Sequence, residues 1–142
     1  MRRCTTPRVM LALAAAVAMA ATGCASQQAK VHRYGQVLEV KPEKMAEYKR
    51  LHADVWPDVL KQIKECNIQN YSIYLGEVQK GKWYLFAYFE YTGDDFKADM
   101  AKMAADPTTQ KWWDVCEPCQ QPVPTRKEGE WWHTMEEVFH QD

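Results

Sequence analysis

The chain has 142 residues, with 18 Lys and Arg against 19 Asp and Glu and a formal net charge of −1. No basic stripe runs along it, which argues against nucleic acid as a partner. One domain is the expectation at this length, and no apolar stretch after the N-terminal one is long enough to span a membrane.

Residues 1–23 have the build of a bacterial lipoprotein signal peptide. Arg2, Arg3 and Arg8 supply a positive start, and Val9 to Ala21 is an uncharged apolar run. That run falls short of the ~20 residues a membrane helix needs. Ala21-Thr22-Gly23-Cys24 resembles a lipobox, in which the cysteine is lipidated and becomes the new N-terminus; Ala21 stands where Leu is usual. The competing reading is an ordinary secretory signal with a chance cysteine. Either implies export, and lipidation at Cys24 implies a periplasmic or outer-membrane lipoprotein, since Ala25 and not Asp follows the cysteine. Removing residues 1–23 takes away three arginines and no acid, which turns the net charge from −1 to −4. Residues 24–33 read as a tether and 34–142 as the folded domain.

Tyr34 to Val40 follows a two-residue rhythm and is expected to be a strand. Lys41-Pro42-Glu43 opens a helix on which Met45, Tyr48, His52 and Val55 recur at helical spacing. Pro57 starts a second helical piece, with Asp54 as its cap, and Cys66-Asn67 ends it. Gln69 to Leu75 and Trp83 to Tyr91 form a hairpin about Gln79 to Lys82. Asp94 caps a helix carrying Phe96, Met100 and Met103, and Asp106-Pro107 begins another through Trp112-Trp113. A proline- and charge-rich loop from Gln121 to Gly129 leads to a last strand, Trp131 to Phe139. The order is β-α-β-β-α-β, an α+β, ferredoxin-like arrangement whose helices cover one sheet face. The aromatic-rich second face calls for a cover, and two such sheets packed together make a dimeric α+β barrel.

Cys66, Cys116 and Cys119 remain in the mature chain. Cys116 and Cys119 have the spacing of a redox motif but not its position at a helix start, so they are either a local disulfide or two free thiols. No second cysteine pair stands ready for zinc.

Tyr48 and His52 sit four apart on one helix face, with Trp56-Pro57 one turn on. Tyrosine hydroxyls, tryptophan faces and one imidazole suit a sugar, whose C–H face packs on indole while its hydroxyls bond to polar groups. Spacing alone equally allows a structural histidine and core tryptophans. Adjacent Trp112 and Trp113, however, cannot both face one core.

Ordered motifs add to this. Glu47-Tyr48-Lys49-Arg50-Leu51-His52-Ala53-Asp54-Val55-Trp56-Pro57 resembles the helix motif of the L-rhamnose mutarotase family. Asn70-Tyr71-Ser72-Ile73-Tyr74-Leu75 is similar to its strand motif, Trp112-Trp113 to its tryptophan pair, and Met135-Glu136-Glu137-Val138-Phe139 to its close. The resemblance spans about 34–139 and implies the same dimeric barrel. It places His52 at the family's acid position and Tyr48, Tyr71, Trp112 and Trp113 at sugar-contacting positions. The departures are the export signal, an insertion around Cys116 to Trp132, and the tail His140-Gln141-Asp142.

Mutarotation needs the ring oxygen to gain a proton while the anomeric hydroxyl loses one; it requires no metal, cofactor or covalent intermediate. The expectation is that imidazolium His52 protonates the ring oxygen of a monosaccharide. A tyrosine, a carboxylate such as Asp54, or water takes the other proton. The alternatives are a non-catalytic exported sugar-binding lipoprotein, and an oxygenase or haem-handling protein using His32, His52, His133 or His140.

Overall fold

The computed structural model describes residues 30–141. The signal peptide expected at 1–23, Cys24 and most of the tether lie outside the described residues.

The elements run β1 (His32–Val40), a 3-10 turn (Pro42–Lys44), α1 (Met45–Ala53), α2 (Pro57–Glu65), β2 (Ile68–Gln79), β3 (Lys82–Tyr91), α3 (Phe96–Ala105), α4 (Pro107–Cys116), a second 3-10 turn (Glu117–Cys119), β4 (Gln120–Gln121) and β5 (His133–Met135). The sheet is antiparallel in the order β2-β3-β1-β4, with β5 also on β1. This is the expected α+β topology. The fourth strand differs from expectation. In place of one strand over 131–139, two short pieces pair with different stretches of β1, at Val40↔Gln120 and at Gln36↔Thr134. Residues 122–132 leave the sheet between them, and Val138 and Phe139 lie beyond it, exposed.

Alternation along the strands sorts the sheet into two faces. The register Ile73–Ala87–Gln36–Thr134 and Leu75–Leu85–Leu38 runs across the helix-covered face. The register Tyr74–Phe86–Val37–His133 crosses the other. One irregularity matters. Ile68, Tyr71 and Ile73 all turn toward the helices, which a regular strand forbids because 68 and 71 differ in parity. A bulge between Gln69 and Ser72 absorbs the extra residue. Asn70 takes the left-handed backbone there, at φ 49°, and its amide donates to Glu90 Oε2 at 2.7 Å. Asparagine is among the few non-glycine residues that adopt this conformation readily.

The core joins Leu38, Val40, Tyr48, Leu85 and Cys119; Val59, Trp112 and Cys116; and Ile68, Phe89 and Tyr91. Two helix starts are capped by side chains. Asp95 Oδ1 accepts from the Ala98 amide at 3.0 Å and Asp106 Oδ2 from the Thr109 amide at 2.7 Å. The α3 cap is thus Asp95 and not Asp94, since helix entry is set by the Phe96 contacts one residue later than composition suggests. Asp54 caps no helix start either: it closes α1, its amide bonded to the Leu51 carbonyl, and α2 begins at Pro57 without a side-chain cap.

Candidate active site

A cavity of about 520 Å³ lies between the helices and the covered sheet face. Tyr48 and His52 reach it from α1, Tyr71 from the bulge of β2, and Trp112 and Trp113 from α4. All five residues singled out by sequence therefore converge on one space. His32, His133 and His140 do not line it, and neither does Asp54, which is exposed at the end of α1.

His52 is fixed by its own helix. Its Nδ1 lies 3.0 Å from the Tyr48 carbonyl oxygen. A carbonyl only accepts, so Nδ1 carries the hydrogen and Nε2 is the atom able to exchange a proton. The ring stacks on Tyr48, with centroids 4.0 Å apart, and meets the edge of Trp112 at 5.3 Å. Trp56 stays outside the cavity but braces Trp112 edge-on at 5.4 Å. Burial holds the His52 pKa below its ordinary 6.5, and the bond to the Tyr48 carbonyl opposes that shift.

Both tyrosines are kept protonated. Burial pushes the Tyr48 hydroxyl well above its ordinary value, and the nearby Gln120 side chain offsets part of the rise without completing a hydrogen bond. Tyr71 is 41% exposed as a residue, yet desolvation pushes the pKa of its hydroxyl up to about 12. Each is a hydrogen-bonding group and a poor proton acceptor near neutral pH. Trp112 is buried against Val59 and Cys116, while Trp113 is 37% exposed at the cavity rim.

The segment after α4 builds the remaining wall with Cys116, Glu117, Gln120, Gly129, Glu130, Trp131 and Trp132. Trp131 Nε1 donates to Gln120 Oε1 at 2.7 Å and ties the excursion to β4. Gln36 Nε2 donates to Thr134 Oγ1 at 3.3 Å on the sheet side. Three buried polar atoms of the wall have no hydrogen-bond partner among the described residues: the Tyr48 hydroxyl, Thr109 Oγ1 and Glu130 Oε2. Orphaned polar atoms are rare in proteins, and all three belong to residues that line the cavity. Gln36, Thr109, Gln120 and Glu130 were not singled out by the sequence; its one pointer was the insertion around Cys116 to Trp132, which contains the last two.

Cys116 and Cys119 are both free and buried. Burial raises both thiols, that of Cys116 to about 12, which makes them poor nucleophiles. Among the described residues, no group of three or more His, Cys, Asp or Glu is arranged to hold a metal, and no helix is long and apolar enough to cross a membrane.

The family model for L-rhamnose mutarotase matches residues 33–141. The L-rhamnose mutarotase of Oceanobacillus iheyensis is 32% identical over 116 residues, covering 78% of this chain and 98% of that protein. That of Ligilactobacillus salivarius is 34% identical over 113 residues, covering 78% and 97%. Among solved structures, an L-rhamnose mutarotase from Formosa agariphila superposes with a TM-score of 0.59 at 23% identity, covering 78% of this chain and 99% of that one. Tetracenomycin F2 cyclase from Streptomyces glaucescens gives 0.56 at 14%, covering 78% and 97%. At these identities the two structures speak to the fold alone.

The orphaned Tyr48 hydroxyl has a measurable consequence. Replacing an unsatisfied buried hydroxyl by hydrogen removes a desolvation penalty of roughly 1–3 kcal/mol. Tyr48→Phe is expected to keep or raise the thermal midpoint of the unliganded protein; a fall of several degrees would show that the hydroxyl is satisfied.

Proposed function

Because this chain belongs to the L-rhamnose mutarotase family, we propose that it interconverts the α and β anomers of L-rhamnose or a related monosaccharide, with His52 as proton donor. The chain is accordingly an isomerase. The observation that carries the site reading is the convergence of His52, Tyr48, Tyr71, Trp112 and Trp113 on one cavity large enough for a monosaccharide.

The chemistry follows from those groups. Protonated at both nitrogens, His52 keeps Nδ1–H on the Tyr48 carbonyl and gives the Nε2 proton to the ring oxygen. The C1–O5 bond breaks, and the open aldehyde turns about C1–C2 before reclosing on its other face. Tyr48 and Tyr71 bond sugar hydroxyls as protonated phenols. The tryptophans pack on the ring's C–H face and exclude water. Capture without catalysis would use the same aromatics but would not need a histidine held with one nitrogen committed and the other available.

The export reading rests on the Arg-rich start, the apolar run and Cys24, which support an anchored protein outside the bacterial cytoplasm. Several acyl chains on that cysteine hold a protein firmly, whereas one binds only marginally. The homodimer reading rests on the uncovered sheet face. Val37, Tyr84, Phe86 and Tyr88 lie along it with Tyr74, which is 66% exposed. An apolar face of this kind marks an interface, and a second copy would cover it.

Four measurements check these statements. Saturation-transfer NMR of L-rhamnose should show anomer exchange that His52→Ala reduces by about 10²-fold or more while leaving the circular dichroism unchanged. Because burial lowers the pKa of His52, the imidazolium is the minor form at neutral pH. The exchange rate should therefore rise as pH falls from about 8 toward 6; a falling rate would make the neutral ring a proton acceptor instead. Light scattering should return twice the chain mass, and a monomer would refute the dimer. Expressed in bacteria, the wild type should stay with membranes and Cys24→Ala should not; equal partition of the two would refute the anchor.

A further inference from the structure

Ring opening moves two protons, and His52 accounts for one. The second must pass from the anomeric hydroxyl to a group on the cavity wall or to water. Asp54 stands outside the cavity. Tyr48 and Tyr71 are held protonated by their burial. Two carboxylates line the space, Glu117 and Glu130. Glu117 is exposed at the end of α4, whereas Glu130 is half-buried with Oε2 withdrawn from solvent and without a partner among the described residues.

We propose that Glu130 is the proton acceptor for the anomeric hydroxyl, the counterpart of His52 in the same cavity. The proposal deepens the mutarotase reading above and rests on it.

The fold holds Glu130 deliberately. Gly129 precedes it at φ 81°, a left-handed conformation that suits glycine. The Glu130 amide donates to the Lys127 carbonyl at 3.1 Å, which closes the turn. The next residue, Trp131, is tied to Gln120, and Gln120 is paired through β4 to the end of β1. The Gln120 side chain also faces the Tyr48 hydroxyl, on the residue whose carbonyl orients His52. The carboxylate is therefore anchored to the same framework as the imidazole. Of the two carboxylates on the wall, Glu130 is thus the one held in place by the fold and shielded from bulk water.

The step balances without a further reactant. His52 gives its Nε2 proton to the ring oxygen as the C1–O5 bond breaks. The O1–H electron pair becomes the carbonyl π bond, and its proton passes to the Glu130 carboxylate. The site then holds neutral His52, protonated Glu130 and the open aldehyde. On reclosure the new O5–H proton returns to His52, and Glu130 gives its proton back to O1.

The test uses the wild type, Glu130→Gln and Glu130→Asp with L-rhamnose, comparing NMR anomer exchange with sugar binding by chemical-shift titration. Glu130→Gln is expected to lose about 10²-fold or more in exchange while its sugar affinity stays within about threefold. Glu130→Asp should recover part of that loss. Exchange by Glu130→Gln close to the wild-type rate overturns the proposal and leaves the mutarotase reading standing. Equal losses of exchange and affinity make Glu130 a binding group and also overturn it. A wild type that exchanges no L-rhamnose or related deoxysugar removes the reading and the proposal together.

Discussion

The Nδ1–H of His52 is held 3.0 Å from the Tyr48 carbonyl oxygen, and that bond decides which atom of the ring can exchange a proton. It links two residues one helical turn apart, so α1 carries its reactive group and that group's orientation in the same five residues. The ring contacts follow: Tyr48 below, Trp112 at the edge, Trp56 behind Trp112. An imidazole enclosed in this way gives up some of its affinity for protons. In return one nitrogen is committed to the Tyr48 carbonyl and the other is left for exchange, the preorganisation that acid–base catalysis rewards.

Around that fixed ring the cavity divides into two chemistries. The tryptophans, Phe89 and the methionines of α3 present apolar surface, while Gln36, Thr109, Gln120 and the tyrosines present hydrogen-bonding groups. A deoxysugar has the same division, with a methyl and C–H groups on some sides and hydroxyls on others. Three buried polar atoms of that wall have no hydrogen-bond partner among the described residues. Burying unpaired polar groups lowers stability but raises discrimination, because a ligand lacking the matching hydroxyl would leave them unpaired.

Much of this was legible in the chain. The rhythm of Tyr34 to Val40, the Lys80-Gly81 turn and the helical spacing of Met45, Tyr48 and His52 are local signals, and each element formed where those signals lay. The motif resemblance brought Tyr71 and the Trp112-Trp113 pair to the same site as His52, although they are far apart in sequence. What the chain did not reveal depends on pairing across space. β4 and β5 are too short to carry a period of their own and exist because the edge of β1 is open to them. Gln120 and Glu130 owe their places to that broken edge, so the sequence marked their segment only as an insertion around Cys116 to Trp132, without a role for either side chain. The Asp94 and Asp54 caps failed for a smaller reason: several acids stand near each helix start, and only three-dimensional entry geometry selects among them.

The bulge at Asn70 has a consequence for how this protein can vary. It contributes one uncounted step to β2, and that step puts Ile68, Tyr71 and Ile73 on the same face. Exchanging Asn70 for another residue would tax a single backbone conformation and one side-chain bond to Glu90. Deleting it would invert the facing of Ile68 relative to Tyr71, burying polar groups and exposing apolar ones along the strand. β2 is thus a segment whose length carries more information than its letters, and drift in this chain should be permissive toward substitution at that point and intolerant of a gap.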